Sequence, residues 1–256
     1  MSSVKSAIEL NSRALKLRKQ LGEDQSSPIQ IFNLLSGLDH VSIVYYPLGS
    51  GVSGVYVRAG DESLIAINSM LTQGRQRFTA AHELYHLNEQ KGFRNVVCSV
   101  NIGGSKDPEE QNADSFASYF LAPDQALRDY VSEIICKGGA TLALGDVVAI
   151  EQFFGMSHQA ALYRLQKDGY INAGQREAMK AGVMICARDL GYDIDLYRTT
   201  NPEHARKQTL GSYIGFTKRL LDLGYISTGK AEDFLITAFR EDIVDHRDQE
   251  LDQSYD

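Results

Sequence analysis

Residues 77–89 read RFTAAHELYHLNE, and inside them His82, Glu83 and His86 fall in the order His-Glu-x-x-His. The pattern from Gln73 to about Glu89 is helical. On a helix, positions i and i+4 share a face, so His82 and His86 can both reach one metal ion. Zinc takes nitrogen and carboxylate donors in a tetrahedral set, and a catalytic site keeps one position for water. Glu83 follows the first histidine and therefore points beside the ion, where it can take a proton from that water. The bland alternatives are a solvated helix that happens to carry two histidines, or a structural metal site, which would have no use for Glu83.

Such a site needs a third protein ligand. The metzincin pattern requires Gly at 89 and His at 92, but the chain has Glu89 and Gly92, which excludes that class. The other common solution is a carboxylate from a following helix. Residues 107–123, DPEEQNADSFASYFLAP, supply one. Glu110 and Asp114 are an i, i+4 pair: Glu110 suits ligation, and Asp114 suits a hydrogen bond that fixes the tautomer of a ligating histidine. Glu109 is the competing ligand candidate. Glu110 is preferred because Ala113, Phe116, Ala117 and Phe120 set how the helix docks, and 110 borders that side. The bland reading of these acids is a solvated face.

Outward from this centre, residues 4–21 are expected to form an amphipathic helix with Ile8, Leu15 and Leu21 as its stripe. Pro28 is expected to open a second helix through Leu35. VSIVYYPL (41–48) reads as a strand. GVSGVYVRA and SLIAINS, around Gly60-Asp61-Glu62, read as a hairpin, and that hairpin over 54–68 could offer an edge to an extended peptide. Residues 92–104 look extended or looped. After Pro123 strand signals are scarce, with helices expected at 125–137, 145–154 and 157–167. The last pair, joined at Gly155 and opened by Ser157, is helix-turn-helix-like. RLQKDGYINAGQRE (164–177) echoes RLLDLGYISTGKAE (219–232), suggesting two similar units ended by Gly169 and Gly224. The tail DHRDQELDQSYD reads as frayed. The whole is α+β, divided as 1–126, a helix-turn-helix-like 127–175, and a helical 176–256.

The 256 residues suffice to bury a core, and 43% hydrophobic with 23% charged is ordinary for a globular chain. A net charge of -7 gives no global pull toward nucleic acid. A DNA-binding regulator without proteolytic activity nonetheless remains the rival class, on the helix-turn-helix-like region and the basic segments RALKLRKQ and HARKQTLGSYIGFTKR. Three cysteines, Cys98, Cys136 and Cys186, without metal-type spacing argue against a disulfide framework. No signal-peptide pattern or membrane-length apolar stretch is present, so a cytoplasmic location without a membrane partner is expected.

RQRFTAAHELYHL followed by EQNADSFASYFLAP resembles the ImmA/IrrE family of metallopeptidases over roughly residues 28–172. The resemblance implies a zincin-like domain with a small antiparallel sheet, Zn2+ held by His82, His86 and Glu110, and Glu83 as the general base. The family often has Asn where this chain has Asp114. The resemblance further implies an endopeptidase that cuts a helix-turn-helix repressor after DNA damage or in phage defence; combined with the basic segments, this reading makes single-stranded DNA a candidate activating partner. Cys98, between the two ligand helices, is a candidate inhibitory zinc ligand; its bland reading is a buried core cysteine. Tyr85 and Tyr119 are expected to pack rather than to stabilise an oxyanion.

Overall fold

A computed structural model of the chain describes residues 3–89, 94–100, 102, 104–138 and 141–245. Helix α1 (Ala7–Gln20) is capped by Ser6, whose side chain accepts from the Glu9 amide. It buries Leu10, Ala14, Leu17 and Arg18 against a later helix. The stripe expected at Ile8, Leu15 and Leu21 is not the buried one, and Ile8 is fully solvated. Positions 10, 14 and 17 follow the 3.6-residue helical period, whereas a seven-residue spacing drifts around the helix.

Arg18 is wholly buried, and its guanidinium donates to the carbonyls of Asp24, Ser27 and Phe120. It ties α1 to the loop after it and to Phe120, 102 residues further along the chain. Arg18→Leu would leave the buried Phe120 carbonyl and two part-buried loop carbonyls unpaired. The expected loss is roughly 3 kcal/mol, read as a lower urea midpoint at unchanged slope. A loss below about 1 kcal/mol would mean that water replaces the side chain.

The chain past Pro28 stays extended before α2 (Ile31–Ser36) begins. Pro28 does not open that helix. Instead Ile29 is buried, and its carbonyl accepts from Arg77. Strands β1 (Val41–Tyr46), β2 (Val52–Ala59) and β3 (Glu62–Asn68) follow. After them come α3 (Gln73–Glu89), β4 (Arg94–Ser99) and α4 (Pro108–Leu121). The five-stranded sheet has the order β4-β2-β3-β1-β5, with β5 (Gln208–Gly211) from far along the chain. The sheet is mixed: three pairings are antiparallel as expected, but β1 and β3 run parallel. The hairpin β2–β3 forms as expected, yet it offers no edge. Both its strands are interior, because β4 adds outside β2 and β1 lies outside β3. The free edges are β4 and β5.

Helix α3 packs on β2 and β3, with α4 and α2 on its other sides. Its residues from Phe78 to His86 are all buried, although the run includes Thr79, His82, Glu83 and His86. Polar groups placed so deeply need partners or a ligand. Helices α5 (Asp124–Gly138), α6 (Leu144–Phe154) and α7 (His158–Lys167) extend the same core, which runs continuously from Leu10 to Ile171. Gly155, with φ 65°, ends α6, and Ser157 caps α7 as expected.

This pair is poorly placed to read DNA. Ala160, Ala161, Leu162 and Leu165 of α7 lie in the core, and Arg164 is buried between Asp124 and Asp168 over the Tyr119 ring. Several cations of the basic segments are engaged within the fold. Arg13 pairs with Glu9 and Glu89, Arg206 stacks on Tyr45, and Lys207 lies over Tyr46.

Beyond α7 lie α8 (Ala173–Met179), α9 (Val183–Asp189), α10 (Ser212–Asp222), α11 (Thr228–Thr237) and α12 (Glu241–Asp245). The two echoed segments end α7 and α10 identically. Gly169 and Gly224 take positive φ, and the amides of Tyr170 and Tyr225 return to the carbonyls of Leu165 and Leu220, which is the Schellman arrangement. A third copy, Leu190-Gly191-Tyr192, closes α9 in the same way. The tail from 246 onward lies outside the described residues. Among those described, no helix is long and apolar enough to cross a membrane.

Candidate metal centre

Helices α3 and α4 bring the centre together. One turn along α3, the Nε2 atoms of His82 and His86 stand 3.2 Å apart. The Glu110 carboxylate, from the first turn of α4, lies 3.3 Å from each of them. Asp107 caps α4 and Pro108 opens it, which fixes where Glu110 sits. Asp114, one turn on, meets His82 Nδ1 at 3.0 Å. That contact holds the Nδ1 proton and turns the Nε2 lone pair toward the cluster. Glu109 is directed elsewhere: its Oε2 accepts from the Tyr85 hydroxyl at 2.7 Å. Tyr85 also receives Lys5, so it faces away from the cluster, and Tyr119 lies under Arg164.

Strand β4 contributes Cys98. With His82, His86 and Glu110 it forms a set of potential ligand atoms all within 4.8 Å of one another. The donor set suits a divalent ion. Around a tetrahedral ion with bonds near 2.0–2.1 Å, neighbouring donors stand about 3.3 Å apart, which is the spacing of the two imidazoles and the carboxylate.

The electrostatics without an ion are those of a crowded, dry site. Burial lowers the His82 imidazolium, but Asp114, Cys98 and Glu110 outweigh it and raise His82 well above its ordinary value. Glu110 is opposed by burial yet held far below the usual carboxylate range by both histidines. Burial pushes the Cys98 thiol up to about 12, against the pull of His82. Burial also raises Glu83, opposed by His82 and His86.

Glu83 is fully buried, and neither carboxylate oxygen has a hydrogen-bond partner among the described residues. It reaches that position because Gly54 of β2 has no side chain. A Cβ there would lie 2.5 Å from Thr79 Cγ2, 2.8 Å from Glu83 Oε1 and 3.0 Å from the Ala66 carbonyl oxygen. Gly54 pairs in register with Cys98 across the β2–β4 ladder, next to a register shift at Val52. Sequence reading passed over Gly54, although a lone glycine inside a strand pattern signals close approach of another group.

A family model described as the IrrE N-terminal-like domain, the peptidase M78 family, matches residues 28–166. The chain belongs to this family. The match spans α2 to α7 and contains every residue of the cluster. No curated protein matches the chain. As an M78 member the chain is a metallopeptidase, and a peptidase acts on a protein or peptide substrate. The family therefore gives the buried cluster its chemical context.

Proposed function

We propose that this M78 peptidase is a zinc-dependent endopeptidase. In this reading His82, His86 and Glu110 hold Zn2+, Asp114 orients His82, and Glu83 is the general base. The observation that carries it is the fully buried, unpartnered Glu83 carboxylate beside three donors with tetrahedral spacing. When bound, zinc would supply a Lewis acid that polarises the scissile carbonyl and acidifies water at the site. Glu83 accepts a proton from the attacking water and delivers it to the amine nitrogen as the C–N bond breaks. Burial raises its proton affinity, the direction that suits a general base. The exposed edge of β4, with Val97 largely solvated, offers main-chain pairing to an extended substrate.

The substrate proposed is a regulatory protein, a helix-turn-helix repressor, cut in a DNA-damage, stress or phage-defence response with single-stranded DNA as activator. Resemblance to ImmA/IrrE peptidases supports the repressor and its setting, and the basic segments suggest the single-stranded DNA. Incubating the zinc-loaded protein with the repressor, with and without single-stranded DNA, tests it. Cleavage at one internal bond is expected, and an intact repressor under both conditions would overturn it.

Cys98 is proposed as an inhibitory fourth ligand that keeps the peptidase latent. The observation favouring it is the thiol's place within the four-residue cluster. Its raised pKa means the ion itself must displace the thiol proton, so the bond would form only in the loaded protein. Cys98→Ala should raise cleavage in the absence of any inducer, and sulfur should lie about 2.3 Å from the metal in the parent protein. No gain in the variant would remove latency from the account.

A further inference from the structure

Arg75 lies on α3 two turns before His82 and is only 7% exposed. Its Nη2 donates to the Ser99 carbonyl at 3.2 Å, and its guanidinium lies 5.4 Å from the Phe78 ring centroid. Nε and Nη1 have no hydrogen-bond partner among the described residues. A buried guanidinium with idle N–H groups is costly unless a ligand meets it. Burial lowers it to about 10, and the pull of Asp114 and Cys98 keeps it from falling further. Arg75 therefore remains a cation at neutral pH.

It borders a cavity of about 390 Å3 between the start of α3, the start of α7 and the segment after Leu196. Thr72, His158, Gln159, Tyr197 and Thr199 share the lining. Gly74 makes the junction possible: a Cβ there would lie 2.9 Å from Ser157 Cα and 3.0 Å from Ser157 N. The ten-residue α7 is thus pressed end-on beside Arg75. Ser157 satisfies the amides of Ala160 and Ala161. Those of His158 and Gln159 have no acceptor within the helix and carry the positive end of its dipole. The Tyr197 hydroxyl is also buried, beside the Glu151 carboxylate. One oxygen of the buried Glu151 carboxylate is engaged by His158 Nδ1 at 2.6 Å, while Oε2 has no hydrogen-bond partner among the described residues. Idle guanidinium nitrogens, a helix N-terminus and hydroxyls together form an oxoanion receptor.

We propose that this cavity is a substrate subsite: Arg75 and the α7 N-terminus take a carboxylate of the peptide substrate. The inference rests on the peptidase reading and narrows its substrates to chains with an acidic group at a set distance from the bond cut. Eight residue steps along α3 take Arg75 to Glu83, about 12 Å along the helix. That is about four residues of extended chain. The carboxylate belongs to an Asp or Glu side chain or to the chain terminus.

The test is calorimetric binding of three peptide pools to the zinc-loaded full chain carrying Glu83→Gln, which prevents turnover. One pool carries Asp and Glu with an amidated end. A second carries Asn and Gln with an amidated end. The third is neutral with a free C-terminus. The acidic or the free-terminus pool should bind at least tenfold tighter than the neutral amidated pool, and whichever does so identifies the source of the carboxylate. Adding Arg75→Gln should erase that preference. So should Thr199→Glu, which places a competing carboxylate at the exposed rim and spares the buried arginine. Inorganic phosphate should compete with the preferred pool. Equal binding of all pools, or a preference that survives both substitutions, would overturn the subsite. Arg75-dependent phosphate binding without peptide discrimination would overturn it too, reassigning the cavity to a free anion. If the preference holds but the unsubstituted protein cuts none of the preferred peptides, the subsite stands and the hydrolase reading falls.

Discussion

Glu83→Gln is expected to reduce peptide cleavage by about 10²–10⁴-fold while the metal content of the purified protein stays unchanged. The amide keeps the size of the side chain but cannot accept a proton. The potential donors of the cluster are on His82, His86, Cys98 and Glu110, so in the proposed site the ion's affinity does not depend on position 83. Retained cleavage would remove Glu83 from the chemistry, and lost metal would make it a structural element of the site.

The same variant carries a second, independent signature in the metal-free protein. Burial raises the Glu83 pKa above the unfolded value of 4.5. A group whose folded pKa is raised is most compatible with the fold while protonated. The contribution is full below the unfolded pKa and is lost as pH rises through the folded one. Ionising Glu83 in the metal-free parent therefore carries a burial cost that the Gln variant does not have. The variant should melt higher at neutral pH, with the gap closing as pH falls toward 4. Glu110 works in the opposite sense: its folded pKa is depressed, so its contribution is lost as pH falls. Only the difference between parent and variant isolates Glu83. A constant gap across that pH range would contradict its burial as a charge.

The ligand helix was legible because its signal is local. His82, Glu83 and His86 sit within one helical turn, and their spacing alone fixes their common face. Glu110 and Asp114 were legible at one remove, through the apolar side of α4 that dictates its docking. Glu109, one residue away, has the same charge and a similar position, and only the packed helix shows it meeting Tyr85 rather than the cluster. The sheet was less legible. β4 and β5 are edge strands added by non-local pairing, and no turn chemistry announces them. β5 sits among helices, and its partner β1 lies more than 150 residues earlier in the chain. The parallel β1–β3 pairing likewise depends on β2 turning back on the far side of β3. Arg75 and Gly54 went unread for a related reason. Each matters through what it faces across space, and neither belongs to a spacing pattern.

Gly54→Ala should be nearly as damaging to cleavage as loss of Glu83 itself, although residue 54 carries no chemistry. The added methyl group would collide with Thr79 and Glu83 on one side and with the Ala66 carbonyl on the other. The carbonyl belongs to the interior strand β3 and cannot retreat without breaking the β2–β3 ladder. Relief must therefore come from α3, by turning the Glu83 carboxylate away or lifting the helix from the sheet. Overpacking of this kind costs about 1–3 kcal/mol, so the variant should remain folded with a depressed melting temperature. Cleavage should fall by about 100-fold or more, since misplacement by an ångström is enough for that. Gly51→Ala is the control, because nothing lies near a Cβ at that position. The decisive comparison is the double variant. If Gly54 acts only by seating Glu83, adding Gly54→Ala to Glu83→Gln should cost no further activity. A further loss of the full 100-fold would show that Gly54 serves something else, such as the path of the substrate along β4.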